Sequence, residues 1–223
     1  MEKIMRLVLF DMDHTLVPAD TGTIWSQFLQ EQNLISLEKA QERAQFLADY
    51  QNGTLNVEEA YRFELGVLQS LERDLRKELL NQFFEDKVKP LITAKALQQV
   101  AKHRQNGDYL IMITATLEEI ASPIAEFFGM DHLIGGRGQI DAQGNYTGEI
   151  ELEPCMGRGK LVHLEEWLVK TGNNPVEYTF YSDSHNDLPL LEQVDVAIVV
   201  DPDAKLRQIA QENNWQIISF LNS

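Results

Sequence analysis

Residues 7–16 read LVLFDMDHTL, a short apolar run followed by two closely spaced carboxylates. The apolar run predicts a buried strand, and Asp11 and Asp13 stand where that strand ends. In open α/β sheets, ligands bind at the carboxyl ends of the strands. An isolated acid pair of this kind more often caps a turn, so its interpretation depends on the polar motifs later in the chain.

The composition is that of an ordinary globular protein of 223 residues, 43% of them hydrophobic and 24% charged. This length suits one large domain, or a core domain with a smaller insertion. No apolar run approaches the roughly 18 residues of a membrane span. A formal net charge of −16 argues against a nucleic-acid partner, because phosphate backbones are bound by an excess of lysine and arginine. A phosphorylated substrate would therefore need a locally built site.

Cys155 is the single cysteine, which excludes a disulfide framework and a cysteine-based zinc site. Met1-Glu2-Lys3 runs directly into the first predicted strand, without the pattern of a secretory signal. We therefore expect a cytoplasmic location, and the oligomeric state is left open.

Two blocks of different periodicity make up the chain after the first strand, which we place at about residues 4–10. Residues 21–88 show apolar stripes at helical spacing, punctuated by Asn52-Gly53 and closed by Pro90. These stripes are Ile24, Trp25, Phe28 and Leu29, then Val57, Tyr61, Leu65 and Leu68, then Leu71, Leu75, Leu79 and Phe83. The second block predicts strands at 109–114, 178–181, 196–200 and 216–220, and a hairpin at 136–152. It also predicts helices at 93–106, 159–170, 188–193 and 203–213, and one more helix that ends at residue 128.

Strands that alternate with helices imply a parallel sheet covered on both faces. We therefore predict an α/β fold with a Rossmann-like parallel sheet and a small all-helical cap inserted after the first strand. Residues 1–16 and 91–223 would form the catalytic core, and residues 17–90 the cap.

Four groups of polar residues stand just past a predicted strand or at the start of a helix. They are Asp11, Asp13 and Thr15, then Thr114, then Lys160, then Asp183 and Asp187. Taken singly, Thr114 could be an ordinary helix cap, Lys160 a solvated lysine and the last acids a turn. Their shared placement at one edge of one sheet favours a functional site.

These motifs resemble those of the haloacid dehalogenase superfamily, in its phosphoserine phosphatase-like branch (subfamily IB), which is similar to bacterial histidinol-phosphate phosphatases. The resemblance spans essentially the whole chain, including the helical cap. The matching motifs are D-x-D-x-T at residues 11–15, a strand ending in Thr114, Lys160 in GRGK, and SDSHND at residues 182–187, where Ser182 replaces the usual leading glycine.

The resemblance implies a magnesium-dependent phosphatase that forms an aspartyl-phosphate on Asp11. A carboxylate that attacks a phosphate dianion needs its charge offset, and Mg²⁺ with a lysine can provide this. By resemblance, the Mg²⁺ ligands would be Asp11, the Asp13 carbonyl and Asp183, with Asp187 in support. Asp13 would be the general acid and base, and its role predicts a raised pKa. Lys160 would offset charge on the nucleophile and the phosphate, Thr114 would hold a phosphate oxygen, and Thr15 and Ala115 would bind the substrate.

The substrate is expected to be a small phosphate ester selected by the cap. Phosphoserine phosphatases carry a glutamate where this chain has Asp20, and a cap arginine where alignment places Glu64, with Arg62 two residues away. If that register holds, a clamp for the substrate carboxylate has become a repulsive acid. This favours histidinol phosphate, which has no carboxylate, over phosphoserine, which stays an alternative.

Two other activities and one binding role are alternatives to a hydrolase. A phosphotransferase would pass the phosphoryl group to an alcohol, and the sequence leaves that open. A response-regulator-type receiver is disfavoured, because receivers are about half this length and have no cap. An acid at Asp13 also argues against a receiver, because fast hydrolysis of the phosphoryl group would erase the signal. A pseudoenzyme is disfavoured by the four intact motifs.

Overall fold

The computed structural model describes residues 5–221, and its strands lie where two buried clusters meet. The strands are β1 (Arg6–Phe10), β2 (Tyr109–Leu117), β3 (His132–Gly136), β4 (Gly138–Ile140), β5 (Tyr146–Ile150), β6 (Glu177–Ser182), β7 (Val196–Val200) and β8 (Gln216–Ile218). Within these residues, six strands form one parallel sheet in the order β3-β2-β1-β6-β7-β8, while β4 and β5 pair as a separate antiparallel hairpin.

Strand β1 lies in the middle of the sheet and is buried on both faces. Val8 and Phe10 pack into one apolar cluster, and Leu7 and Leu9 pack into the other. The sheet order reverses beside β1, between β1 and β6, which is the switch point where open α/β sheets bind ligands. Asp11 follows β1 directly, so the fold places it at that point.

The helices cover both faces of the sheet and also form the cap. They are α1 (Thr21–Glu31), α2 (Leu37–Asn52), α3 (Val57–Gln69), α4 (Arg73–Phe83), α5 (Ala94–Gln105), α6 (Glu118–Phe127), α7 (Arg158–Thr171), α8 (Leu188–Leu191) and α9 (Ala204–Glu212). The segment α1–α5 between β1 and β2 forms the cap, and α5 returns the chain to the sheet. The predicted fold class is confirmed, while the domain boundaries stay a prediction.

Side-chain caps explain where the helices of the cap segment begin. Ser36, Asn56 and Thr93 each accept a hydrogen bond from the backbone N–H three residues on. Helix α2 ends at Gly53, whose φ of 71° lies in the left-handed region that favours glycine. The predicted break at Asn52-Gly53 is thus confirmed.

Several predicted elements differ from those in the structure. Strand β2 continues to Leu117, three residues beyond the predicted end, and β3 was not predicted. Leu75 is exposed although Leu71, Leu79 and Phe83 of the same predicted stripe are buried. The predicted start of the first strand at residue 4 falls outside the described residues. None of the helices in residues 5–221 has the length and apolar character needed to cross a bilayer.

Candidate active site

A cavity lies between the carboxyl edge of the sheet and the cap helices α2 and α3. Its volume is about 890 Å³ including the open mouth, enough for a small metabolite. Its described lining includes the acids Asp11, Asp13, Asp20, Glu64, Asp183 and Asp187 and the cations Arg43 and Lys160. Acids therefore outnumber cations six to two among these lining residues, which makes the cavity strongly negative.

Lys160 is buried between two carboxylates from different strands. Its Nζ donates to Asp11 Oδ1 and to Asp187 Oδ2, each at 2.7 Å. Burial acts to lower the pKa of Lys160, but the charges of Asp11 and Asp187 hold that pKa above its ordinary value. Lys160 therefore stays charged and ties the first motif to the last.

Two glycines allow the backbone to bring Lys160 to this position in the first turn of α7. Gly157 precedes the helix with a φ of 57°, in the left-handed region. A Cβ on Gly159 would collide with the backbone carbonyl of Pro154. The GRGK segment therefore needs its glycines to deliver the lysine.

The acids of the last motif are held by hydroxyl groups. Thr15 donates to Asp183 Oδ1 at 3.1 Å and lies 3.4 Å from Asp11 Oδ2. Ser182, fully buried at the end of β6, donates to Asp187 Oδ2 at 2.6 Å. The serine that replaces the usual glycine of this motif thus orients Asp187, a role that sequence reasoning missed.

Asp13 is directed towards the cap rather than towards Lys160. Its Oδ1 accepts from the backbone N–H of Thr21 at 2.8 Å, and its Oδ2 accepts from the Thr116 hydroxyl at 2.7 Å. Burial, and then the charge of Asp20, raise the pKa of Asp13 to about 6. A carboxyl group with this pKa can give and take a proton near neutral pH, as expected for a general acid and base.

Burial also raises the pKa of the other carboxyl groups at the strand ends. The pKa of Asp11 is about 6, because burial outweighs the favourable charge of Lys160. Burial, and then the charges of Asp11 and Asp187, raise the pKa of Asp183 well above its ordinary value. The strand ends therefore carry more carboxyl groups than Lys160 alone can pair with.

This excess of oxygen donors fits a magnesium ion. In residues 5–221 no three Asp, Glu, His or Cys side chains already converge as a metal cage. Mg²⁺ does not require one, because it usually binds one or two carboxylates together with waters and substrate phosphate oxygens. Asp11 and Asp183 follow neighbouring strands and both lie within reach of the Thr15 hydroxyl, so they are the carboxylates that would hold such an ion.

Thr114 and Ala115 line the cavity, but they lie within β2 rather than after it. The register between β2 and β3 shifts between Ile113 and Leu117, and Thr114 Oγ1 accepts from Thr116 N–H at 3.1 Å in this irregular part. Tyr61 of α3 donates its hydroxyl hydrogen to the Ala115 carbonyl and accepts from Cys155 N–H. A cap residue therefore fixes the backbone beside Thr114.

The cap side of the cavity carries a cluster of one arginine and two acids. Arg43 of α2 donates from Nε to Glu64 Oε1 at 2.7 Å and from Nη2 to Asp20 Oδ1 at 3.0 Å. Asp20 also caps α1 by accepting from Thr23 N–H. Burial raises the pKa of Glu64 although Arg43 acts to lower it.

Arg62 lies away from these residues. Its exposed side chain pairs with Glu149 of β5 at 2.5 Å. The structure therefore brings Glu64 and Asp20 to the cavity but not Arg62, and the cation beside them is Arg43.

Sequence reasoning missed Arg43, although α2 carries a signal for it. Arg43, Phe46, Leu47 and Tyr50 all line the cavity and follow the i, i+3, i+4, i+7 spacing of one helix face. An arginine on such an aromatic face is a candidate for binding. The partners of Arg43 are Asp20 and Glu64, and no local sequence pattern links either of them to residue 43.

Comparison with known proteins agrees with this arrangement. Residues 8–192 match the model of the family described as haloacid dehalogenase-like hydrolase, and they include all four motifs. The chain belongs to this family.

Relatives of this hydrolase specify its class further. It is 33% identical to a histidinol-phosphatase of Neisseria meningitidis serogroup C, over 96% of this chain and 99% of that one. A Bordetella pertussis protein of unknown function has a similar structure, with 36% identity, a TM-score of 0.91, and 98% and 100% of the two chains covered. A phosphoserine phosphatase with a phospho-aspartyl intermediate analogue shares the fold, with 20% identity, a TM-score of 0.68, and 99% and 96% covered. This hydrolase is a phosphatase that acts on a phosphorylated metabolite.

Proposed function

We propose that this phosphatase is a magnesium-dependent phosphomonoesterase that hydrolyses histidinol phosphate through an aspartyl-phosphate on Asp11. The observation that carries the mechanism is the buried Lys160, which contacts Asp11 and Asp187, whereas Asp13 accepts from Thr21 and Thr116. Two neighbouring carboxyl groups thus have different partners, as a nucleophile and a general acid require.

In the first step Asp11 attacks the phosphorus, and the bond to the ester oxygen breaks. Lys160 offsets negative charge on Asp11 and on the phosphate, and Thr114 and Ala115 bind phosphate oxygens. Asp13 donates its proton to the departing alkoxide, which leaves as a neutral alcohol.

In the second step water attacks the phosphorus of the aspartyl-phosphate and the bond to Asp11 breaks. Asp13, now ionised, takes the proton from that water. The pKa of Asp13 near 6 allows both transfers.

Asp11, the Asp13 carbonyl and Asp183 would hold the magnesium ion, with Asp187 supporting from the side of Lys160. When bound, the ion supplies charge neutralisation between the nucleophile and the phosphate.

The charge of the cap side supports an amino-alcohol phosphate as the substrate. Asp20, Glu64 and Arg43 together carry one net negative charge, which attracts an ammonium group and repels a carboxylate. Histidinol phosphate has an ammonium and an imidazole but no carboxylate, and Tyr50 and Phe46 line the same cavity. The histidinol-phosphatase relative supports the same substrate. A cytoplasmic location stays a prediction.

Turnover of histidinol phosphate, phosphoserine and phosphoethanolamine, each with Mg²⁺ and with EDTA, tests this proposal. We expect the highest kcat/KM for histidinol phosphate, dependence on Mg²⁺, and no turnover by Asp11→Asn. A higher kcat/KM for phosphoserine would overturn the substrate. Full activity of Asp11→Asn would overturn the mechanism.

Product analysis with an added acceptor alcohol separates hydrolysis from phosphoryl transfer. We expect inorganic phosphate to equal the alcohol released from the substrate. Phosphate falling short of that alcohol, with a new phosphate ester formed, would indicate a phosphotransferase.

A further inference from the structure

Arg43 is the arginine of the cavity lining, and both of its recorded partners are acids of the protein itself. Glu64 comes from α3 and Asp20 from the turn before α1, so three separate elements meet at this guanidinium. The three side chains are only 11%, 17% and 21% exposed for Arg43, Glu64 and Asp20 respectively. Their mutual charges are therefore screened little by solvent.

A guanidinium beside a substrate cavity is the side chain best suited to bind a carboxylate of the substrate, because its fork matches the two oxygens. In this structure Glu64 already accepts from the Arg43 Nε at 2.7 Å. A substrate carboxylate could reach Arg43 only by competing with that contact. Displacing Glu64 would leave its buried carboxylate without its cation, which is costly.

The Arg43–Glu64 pair packs against α1. A Cβ on Gly22 would lie 2.9 Å from Glu64 Oε1 and closer still to the Arg43 guanidinium. The pair therefore rests directly on the backbone of the first turn of α1. A larger residue at position 22 would displace one or both of these side chains.

We propose that Glu64 is a specificity-determining residue that masks Arg43 and so excludes phosphate esters that carry a carboxylate. Glu64 occupies the position on Arg43 that a substrate carboxylate would take. Asp20 adds a second negative charge beside Arg43, and this charge also repels a substrate carboxylate. The inference rests on the proposed phosphomonoesterase activity but not on histidinol phosphate being the best substrate.

The test uses two substrates that differ only by a carboxylate, phosphoserine and phosphoethanolamine. The measured quantity is the ratio of their kcat/KM values, with phosphoserine in the numerator. We expect a ratio below one for the unmodified enzyme. We expect Glu64→Gln to raise that ratio by roughly 10- to 100-fold, because the neutral amide no longer offsets the charge of Arg43 and is more easily displaced from the guanidinium by a carboxylate.

Two further variants show whether the change acts through Arg43. In the double variant Glu64→Gln with Arg43→Met, the ratio should return to the unmodified value or below. Glu59→Gln, exposed on the same helix α3, should leave the ratio unchanged.

A ratio that does not rise in Glu64→Gln overturns the proposal, as does a rise that persists without Arg43. If Glu64→Gln does not fold, Glu64→Met, whose side chain is of similar length, takes its place, and the same rise in the kcat/KM ratio is expected. Failure of the unmodified enzyme to turn over any phosphate ester with Mg²⁺ would instead overturn the proposed function.

Discussion

The hydroxyl of Tyr50 lies 2.8 Å from the Oγ of Ser184, which joins α2 of the cap to the loop that carries Asp183 and Asp187. Ser184 also accepts from the N–H of Asn186, so this contact connects the cap to the backbone of the last motif. This hydrogen bond between side chains is thus one of the contacts that hold the cap against the core.

We expect Tyr50→Phe to raise KM by roughly 2- to 10-fold with little change in kcat, because one partly exposed hydrogen bond contributes about 1 kcal/mol. Steady-state kinetics with the best substrate measures both constants. In a double-mutant cycle, Tyr50→Phe should have no further effect on KM in Ser184→Ala. Additive effects of the two substitutions would contradict the contact.

Replacing Lys160 should destabilise the fold as well as stop catalysis. Lys160→Gln leaves the buried carboxylates of Asp11 and Asp187 without a cation, which costs about 3–5 kcal/mol of unfolding free energy. Urea denaturation at pH 7 without metal measures this. Lys170→Gln, from an exposed pair on the same helix, should cost less than about 1 kcal/mol. Equal losses of unfolding free energy in the two variants would show that the buried contacts of Lys160 with Asp11 and Asp187 are not responsible.

The raised pKa of Asp13 predicts a pH dependence of stability in the metal-free protein. The folded state favours protonated Asp13, so the stabilising contribution is full below the ordinary pKa of 3.8 and is lost as pH rises through about 6. Relative to Asp13→Asn, the unmodified protein should lose about 1 kcal/mol of unfolding free energy between pH 5 and pH 8. Urea denaturation of both proteins in EDTA measures the difference. A constant difference across this range would contradict the raised pKa.

Arg76 of α4 should be important for the attachment of the cap to the core. It is buried, donates to Glu119 of α6 at 2.7 Å, and donates to the carbonyls of Leu68 and Leu71. Arg76→Met leaves these acceptors unsatisfied, and we expect a loss of about 2–4 kcal/mol in urea denaturation. Lys77→Met, exposed on the same helix, should change stability by less than about 0.5 kcal/mol. A loss confined to Lys77→Met would contradict this role.

Much of the core could be predicted because its signals are local. The apolar run at residues 7–10, the acids after it and the break at Asn52-Gly53 each depend on neighbouring residues only. Strand β3 was missed because it is short and ends in Gly135 and Gly136, which are unusual in strands. It forms because β2 offers it a parallel partner.

The cap side of the site was predicted less completely because its contacts join distant residues. Glu64 and Asp20 were identified, but their partner Arg43 lies more than 20 residues from each of them in sequence. In the sequence Ser182 is only the replacement of a glycine, and its role depends on the contact of its hydroxyl with Asp187 in the fold. The hydrophobic periodicity of the sequence does not indicate which side chains of different helices, strands and loops contact each other.

The position of Tyr61 limits how this enzyme can be re-engineered. Tyr61 belongs to the cap, yet its buried hydroxyl satisfies the Ala115 carbonyl and the Cys155 N–H of the core. A cap transplanted from another phosphatase without an equivalent hydroxyl would leave both groups unpaired beside Thr114. Chimeras that keep Tyr61, or that replace residues 114–115 and 155 together with the cap, are the ones expected to retain an ordered phosphate pocket.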